Sequence, residues 1–248
     1  MSKCLIVTGG GRGIGAEVSR KAAKQGYSVC VNFHRDQTSA QKLVRELEKE
    51  GANAIAYQAD VSQEEEVEAL FQTVEKHLGT PEALVNNAGI LDLQTRVDGM
   101  NAERIQRIFA VNVTGSFLCA REAVKRMSTK YGGKGGSIVN LSSGAAKYGS
   151  PGEYVDYAAS KAAIDTLTIG LAKEVAEEGI RVNAVRPGFI DTEIHQSGGE
   201  PDRMERVRPL VPMKRVGQAD EVADAIMWLL SDKASYTTGT ILDVSGGR

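Results

Sequence analysis

The stretch Cys4-Leu5-Ile6-Val7-Thr8-Gly9-Gly10-Gly11-Arg12-Gly13-Ile14-Gly15 decides how this chain folds. Four apolar residues and Thr8 read as a short buried strand, and an amphipathic stretch runs from Gly13 to about Gln25. Between them, Gly9, Gly11, Gly13 and Gly15 let the backbone turn sharply, pack helix on strand and approach a pyrophosphate closely. Arg12 and Ile14 are the two residues in this turn that carry side chains. The start of the helix offers unpaired N–H groups and a positive dipole end to phosphate oxygens. A glycine-rich turn alone is a weak signal, and its position between a first strand and a first helix strengthens it.

The same alternation continues along the chain. Strands are expected at Cys4–Thr8, Ser28–Phe33, Ala54–Gln58, Ala83–Val85, Ser137–Leu141, Arg181–Val185 and Thr240–Val244. Helices are expected at about Gly13–Gln25, Thr38–Glu50, Glu64–Leu78, Ala102–Met127, Tyr154–Glu177 and Asp220–Leu230. Several strands are almost wholly apolar, as strands covered by helices on both faces must be. Strand alternating with helix implies right-handed crossovers between parallel strands. The expectation is an α/β fold: one doubly wound, Rossmann-type domain over residues 1–248, with a seven-stranded parallel sheet and helices on both faces. Ile190–Pro212 breaks the rhythm with Gly198, Gly199, Pro201, Pro209 and Pro212, and a segment of that length is expected to cover a site.

Composition narrows the function. The chain has 248 residues, 42% hydrophobic and 25% charged, with a net charge of −2, so no basic field invites nucleic acid or an anionic membrane. No apolar run approaches the roughly 20 residues needed to span a bilayer. Cys4, Cys30 and Cys119 lie in apolar stretches and are odd in number, which suits buried thiols in a reducing compartment better than a disulfide framework. The N-terminus runs into a strand without a signal-peptide pattern, so a cytoplasmic location is expected. His34, His77 and His195 are scattered without ligand spacing, and no metal is expected.

The second strand ends in Asn32-Phe33-His34-Arg35-Asp36. In dinucleotide folds an acid roughly 20 residues past the glycine turn commonly takes the ribose 2′-hydroxyl. Here His34 and Arg35 come first, and Arg12 sits in the turn, so paired donors favour a phosphorylated ribose and NADP over NAD. Asp36 in a bent turn keeps NAD open.

Tyr157 and Lys161 lie four apart in a helical segment and project from one face. An ammonium beside a phenol favours the phenolate and lowers the tyrosine pKa from about 10 toward a range useful to a general acid/base. Tyr148 and Tyr154 have no lysine four residues on; Tyr154 reads as a core or pocket-wall residue. The fifth strand ends in Asn140-Leu141-Ser142-Ser143, at the carboxyl edge where open α/β sheets bind ligands. A serine there can hold a substrate oxygen, and without an adjacent histidine it is no nucleophile.

Taken in order, Thr8 to Gly15, Asp60-Val61, Asn86-Asn87-Ala88-Gly89, Asn112, Ser142-Ser143, Tyr157 with Lys161, and Pro187-Gly188 leading through Ile190 to Thr192 resemble the short-chain dehydrogenase/reductase family, in its branch of about 250 residues. The match runs over essentially the whole chain. The resemblance implies that Tyr157 is the catalytic acid/base, that Lys161 binds the nicotinamide ribose and depresses the tyrosine pKa, and that Ser143 polarises the substrate oxygen. It implies that Asn112 holds a relay water through a bend in its helix. Asp60 and Val61 would lie at the adenine, Asn87, Ala88 and Gly89 at the adenosine ribose, and Pro187, Gly188, Ile190 and Thr192 at the carboxamide. Such serines often precede the tyrosine by thirteen residues, where this chain has Gly144, so Gly144–Tyr154 carries a short insertion and Ser142 stands as the alternative to Ser143.

Sugar dehydrogenases and 3-oxoacyl-carrier-protein reductases are the nearest subgroups. A carrier protein is acidic and asks for a basic surface; Glu174, Glu177 and Glu178 suit it poorly, while Lys125, Arg126, Lys130 and Lys134 offer another patch. Expected pocket walls at Ala145–Val155 and Ile190–Arg208, with Phe189 just before the second, present Tyr148, Glu153, Tyr154, Phe189, His195 and Glu200, whose polar groups hint at a hydroxylated small-molecule substrate. A cofactor-binding protein without chemistry is the remaining reading, since fold alone proves none. The resemblance also implies a homotetramer built on the two long helices and the segment Val244–Arg248.

Overall fold

Leu5 and Val7 belong to one hydrophobic cluster and Cys4 and Ile6 to a second, and all four are buried. Alternate residues of a strand point to opposite faces, so an all-apolar strand is one covered on both sides. This strand, β1 (Cys4–Val7), is central to the sheet described by the computed structural model, which covers residues 3–192 and 203–248.

The chain continues through α1 (Gly13–Lys24), β2 (Ser28–Phe33), α2 (Gln37–Lys49), β3 (Ala54–Gln58), α3 (Glu64–Leu78) and β4 (Pro81–Asn86). Next come α4 (Ala102–Phe109), a π-helical turn (Ala110–Thr114), α5 (Gly115–Met127), β5 (Gly136–Leu141), α6 (Ala145–Tyr148), α7 (Val155–Val175) and β6 (Ile180–Pro187). It closes with β7 (Ile190–Asp191), α8 (Arg203–Val207), β8 (Gly217–Gln218), α9 (Ala219–Leu230) and β9 (Ile241–Val244). Seven strands pair in parallel in the order β3-β2-β1-β4-β5-β6-β9, the doubly wound sheet the alternation predicts. Val18, Leu43, Leu47, Val222 and Ile226 of α1, α2 and α9 pack on one face. Val67, Leu70, Phe71, Cys119 and Val175 of α3, α5 and α7 pack on the other. The chain reverses direction across the sheet between β1 and β4, which opens a crevice at the carboxyl edge.

The expected elements match in extent to within two residues at each end, with one exception. Ala102–Met127 is not one continuous α-helix: the π-helical turn interrupts it at Asn112, whose main-chain oxygen accepts from Ser116 Oγ at 3.0 Å. One extra residue in the turn redirects Asn112 into the protein, where it is fully buried. In the irregular stretch near the C-terminal third, β7 pairs with β8 and draws the ends of the segment together. His195, Gly198, Gly199, Glu200 and Pro201 lie outside the described residues. The cysteines are buried, and burial above all raises each thiol pKa, to about 12 at Cys4 and Cys119. No helix among the described residues is long and apolar enough to cross a membrane.

Buried asparagines close the carboxyl edge. Asn32, at the end of β2, accepts from Gly9 N (3.3 Å) and donates to Ala59 O (3.0 Å) and Tyr57 O (3.3 Å). Asn86 donates to Asn140 Oδ1 (3.0 Å), and Asn140 donates to Thr168 Oγ1 (2.9 Å), tying β4 and β5 to α7. Truncating such a group leaves its partners dry and unpaired. Asn32→Ala is expected to cost about 2 kcal/mol in urea unfolding, a loss that a merely surface-solvated asparagine would not produce.

Candidate active site

The glycine turn is held by three strand tips. Asn87 N and Ala88 N each donate to Thr8 Oγ1 at 3.0 Å, and Asn87 Nδ2 donates to Thr8 O and Gly9 O at 2.9 Å. Gly9 is left-handed (φ +59°). A Cβ at Gly15 would stand 2.6 Å from Asn87 Nδ2 and 2.7 Å from Gly9 O, so no other residue fits. Gly11 lies against the first turn of α2, its Cβ position 3.2 Å from Ala40 N. Thr192 approaches Gly13, whose Cβ position is 3.6 Å from Thr192 Cγ2. Ile14, Pro187, Gly188, Ile190 and Thr192 border one cavity with Tyr157 and Lys161. Bare backbone along this path is the form a dinucleotide requires.

At the tip of β2 the acid is already engaged. Asp36 caps α2, accepting from Ser39 N at 3.0 Å, and that bond, aided by the charge of Arg12, holds its carboxyl below the ordinary range. Arg12 and Arg35 are exposed beside it. His34 Nε2 stands 3.6 Å from Asp60 Oδ2, while Asp60 Oδ1 accepts from Ser62 N (2.9 Å) and Ser62 Oγ (2.8 Å). Val61 is buried against Gly115, whose Cβ position is 2.7 Å from Val61 Cγ2.

The two serines at the end of β5 separate by their partners. Ser142 is buried and its Oγ donates to Lys161 O at 3.2 Å, behind the site. Ser143 Oγ accepts from Ala145 N at 3.1 Å and lies near enough to the Tyr157 phenol to favour the phenolate. The inserted residues form α6 and a turn in which Ser150 is left-handed (φ +44°).

Lys161 Nζ donates to Leu141 O at 2.6 Å and stands 5.7 Å from the Tyr157 ring centre. Burial lowers its pKa to about 8, against the opposing pull of Asp165. Tyr157 moves the other way: burial raises its pKa, while Ser143 and then Arg203 pull it back. The lowering of Tyr157 expected from the lysine is not found: burial raises the phenol, and the groups that oppose it are Ser143 and Arg203. Both groups line one cavity, and the protein packed around them disfavours the charged form of each.

Asn112 holds the floor. Its Oδ1 accepts from Ile90 N (2.8 Å) and its Nδ2 donates to Ile90 O (2.9 Å) and Ser160 Oγ (3.0 Å), while Ser160 donates to Tyr157 O (2.7 Å). Gly89 is the near neighbour of both Lys161 and Asn112; a Cβ there would be 3.4 Å from Nζ and 3.5 Å from Oδ1.

Sequence reading missed the contacts that aim Tyr157. Arg104 of α4 grips Asp156 through Nε (2.7 Å) and Nη2 (3.3 Å), and Asp156 Oδ1 accepts from Tyr157 N (2.9 Å). A pair so far apart in sequence carries no local signal. Asn32, Arg203 and Arg248 were missed for a similar reason: each gains meaning only from neighbours supplied by other elements.

A family model described as enoyl-(acyl carrier protein) reductase matches residues 9–248. The uncharacterized oxidoreductase YgfF of Escherichia coli is 57% identical, over 98% of this chain and 98% of that protein. The chain belongs to the short-chain dehydrogenase/reductase family. Glucose 1-dehydrogenase 2 of Bacillus subtilis is 38% identical over 99% of this chain and 94% of its own length. A short chain dehydrogenase from Burkholderia cenocepacia, solved in complex with NADP, superposes with a TM-score of 0.90 at 31% identity, covering 99% and 97% of the two chains. As a member of this family the protein is an NAD(P)-dependent oxidoreductase.

Burial of Lys161 has a consequence for stability. Its folded pKa of about 8 lies below the ordinary 10.5, so between those values the unfolded chain binds more protons and stability rises with pH. Below about pH 8 both forms are protonated and this group adds no slope. Relative to Lys161→Met, the native protein is expected to gain up to about 3 kcal/mol in urea unfolding between pH 7.5 and 10.5. Parallel stability curves for the two proteins would show that the ammonium is not buried as described.

Proposed function

We propose that this protein moves a hydride between NADP(H) and a secondary alcohol or its ketone, with Tyr157 as the general acid/base. The observation that carries the proposal is the meeting of Ser143, Tyr157 and Lys161 along one cavity of about 340 Å³ at the carboxyl edge. The nicotinamide supplies or accepts the hydride when bound. Gly9, Gly11, Gly13 and Gly15 give it a bare backbone, Ile14, Pro187, Gly188, Ile190 and Thr192 border its nicotinamide end, and Asp60, Val61, Asn87, Ala88 and Gly89 border the adenosine end. Ser143 orients the substrate oxygen toward the Tyr157 hydroxyl. Tyr157 gives up its proton as a ketone is reduced and takes one as an alcohol is oxidised. Lys161 steadies the resulting phenolate, and Asn112 holds the π-helical turn that backs it.

NADP is the preferred cofactor in this reading. Asp36 is committed to capping α2, which leaves His34, Arg35 and Arg12 as the groups nearest a ribose 2′ substituent. Phosphate rewards that set and a bare hydroxyl does not. Removing both arginines is expected to weaken NADPH binding at least about tenfold while leaving NADH nearly unchanged, measured by fluorescence titration.

In this reading the substrate is a small polar molecule and not a carrier-bound chain. Of the basic groups that could dock an acidic carrier, Lys125 pairs with Glu122 (2.7 Å) and Arg126 with Glu122 (2.6 Å) and Glu75 (2.7 Å). Such pairing spends the field that would draw an acidic partner. The segment 190–212 would cover the substrate, residues 1–248 would act as one domain, and the raised thiols suit a reducing cytoplasm. Phe117 of α5 and Ile169 of α7, both solvent-exposed, would lie in the contacts of a homotetramer. Tyr157→Phe is expected to lower kcat by at least about a hundredfold with NADPH affinity retained, read from steady-state rates and cofactor titration. Near-native turnover in that variant would remove the phenol from the mechanism.

A further inference from the structure

The cavity that Ser143 and Tyr157 line has a second set of groups in its wall. Arg203 stands 5.0 Å from the Tyr154 ring and 5.7 Å from the Phe189 ring. Arg248 stands 4.7 Å from the same Phe189 ring and 5.1 Å from Tyr148. Both arginines line the cavity, and Arg248 also borders an adjoining one of about 570 Å³.

The carboxylates around these cavities are already paired with other cations. Glu153 takes Arg203 (2.6 Å) and Arg206 (3.0 Å). Asp243 takes Lys147 (2.9 Å) and Arg186 (3.3 Å), and Glu221 takes Arg215 (2.6 Å). Among the described residues no carboxylate comes within 4.0 Å of the Arg248 guanidinium, and its Nη1 is buried without a hydrogen-bond partner. Ser245 Oγ holds the Arg248 main chain by donating to its oxygen at 2.6 Å. A guanidinium kept between aromatic faces, partly dry and short of an acceptor, is set up to gain from a planar anion.

We propose that the substrate carries a carboxylate, bound by Arg248 in this cavity while Ser143 and Tyr157 hold the reacting oxygen. This rests on the oxidoreductase reading above and narrows it to a hydroxy acid or its keto acid. A single guanidinium flanked by Phe189 and Tyr148 matches the charge and plane of one carboxylate. The aromatic rings limit the arginine to few rotamers, so little freedom is lost when the anion arrives.

The test compares 4-oxopentanoate and 5-oxohexanoate with their methyl esters, which differ in the charge at one end. Steady-state rates with NADPH give the acid-to-ester ratio of kcat/KM, and calorimetry gives the affinity of each acid for the enzyme–NADP⁺ complex. The native protein is expected to favour the acid for at least one chain length by about tenfold or more, and Arg248→Met to cut that ratio by about the same factor. Arg248→Lys keeps the charge and is expected to retain part of the preference. Thermal melting of the variants monitors folding. A guanidinium that only pins the segment 245–248 would leave the ratio unmoved, and that result, or an ester preference at both lengths, overturns the proposal. If no compound turns over, acid binding that depends on Arg248 upholds the carboxylate site and counts against the oxidoreductase reading. Absence of acid binding overturns the carboxylate site. Turnover of esters with no discrimination overturns the carboxylate site and leaves the oxidoreductase reading standing.

Discussion

At Gly15 the first helix comes so close to the tip of β4 that a methyl group would collide with Asn87 Nδ2 at 2.6 Å. The same Asn87 ties off Thr8 and Gly9, and Thr8 in turn receives the backbone N–H groups of Asn87 and Ala88. This junction lies where the strand order reverses, so it fixes the two halves of the sheet relative to each other at the mouth of the crevice. Each polar group drawn into it finds a partner, which is the condition for burying them at all. The glycine turn, the asparagine shelf and the placing of α7 over β5 all follow from this close approach.

Beyond the junction, the site is shaped by what water no longer reaches. Lys161 is buried and Tyr157 half-buried, and the protein packed around them lowers one pKa and raises the other. The two values move apart, so the phenol holds its proton until a substrate oxygen is there to take it. Ser143 and Arg203 favour the phenolate. Arg104 and Asp156, with side chains nearly inaccessible, fix the start of α7 and so the direction of Tyr157. A buried ion pair of this kind adds little net stability against an apolar replacement, but breaking one partner is costly.

Strand and helix periods were plain in the sequence because several strands are almost wholly apolar and most helices carry an apolar stripe. The serine–tyrosine–lysine set could be named from strand ends and helical spacing. What could not be read was any feature created by elements meeting. Ala102–Met127 has an uninterrupted helical pattern; the resemblance alone implied a bend at Asn112, and its form, a π-helical turn, reflects what that side chain binds in the Ile90 loop and at Ser160. Asn32 looked like an ordinary strand residue until its partners at Gly9 and Ala59 were known. The family resemblance favours Ser143 over Ser142, and in the fold the two differ because one turns to Lys161 O and the other toward Tyr157. The tyrosine–lysine spacing was read correctly as proximity, while the direction of the phenol shift was not, since burial outweighs the neighbouring charge.

The central claim is that Tyr157 hands its proton to the substrate oxygen in the step that moves the hydride. Isotope effects on kcat/KM test it most directly, using the ketone that turns over best, cofactor deuterated at the transferring position, and H₂O against D₂O. The account predicts that both substitutions slow the reaction and that deuterating the cofactor leaves the solvent effect undiminished, because both transfers belong to one transition state. A full cofactor effect without any solvent effect would contradict it, placing proton transfer outside the step that Tyr157 is assigned.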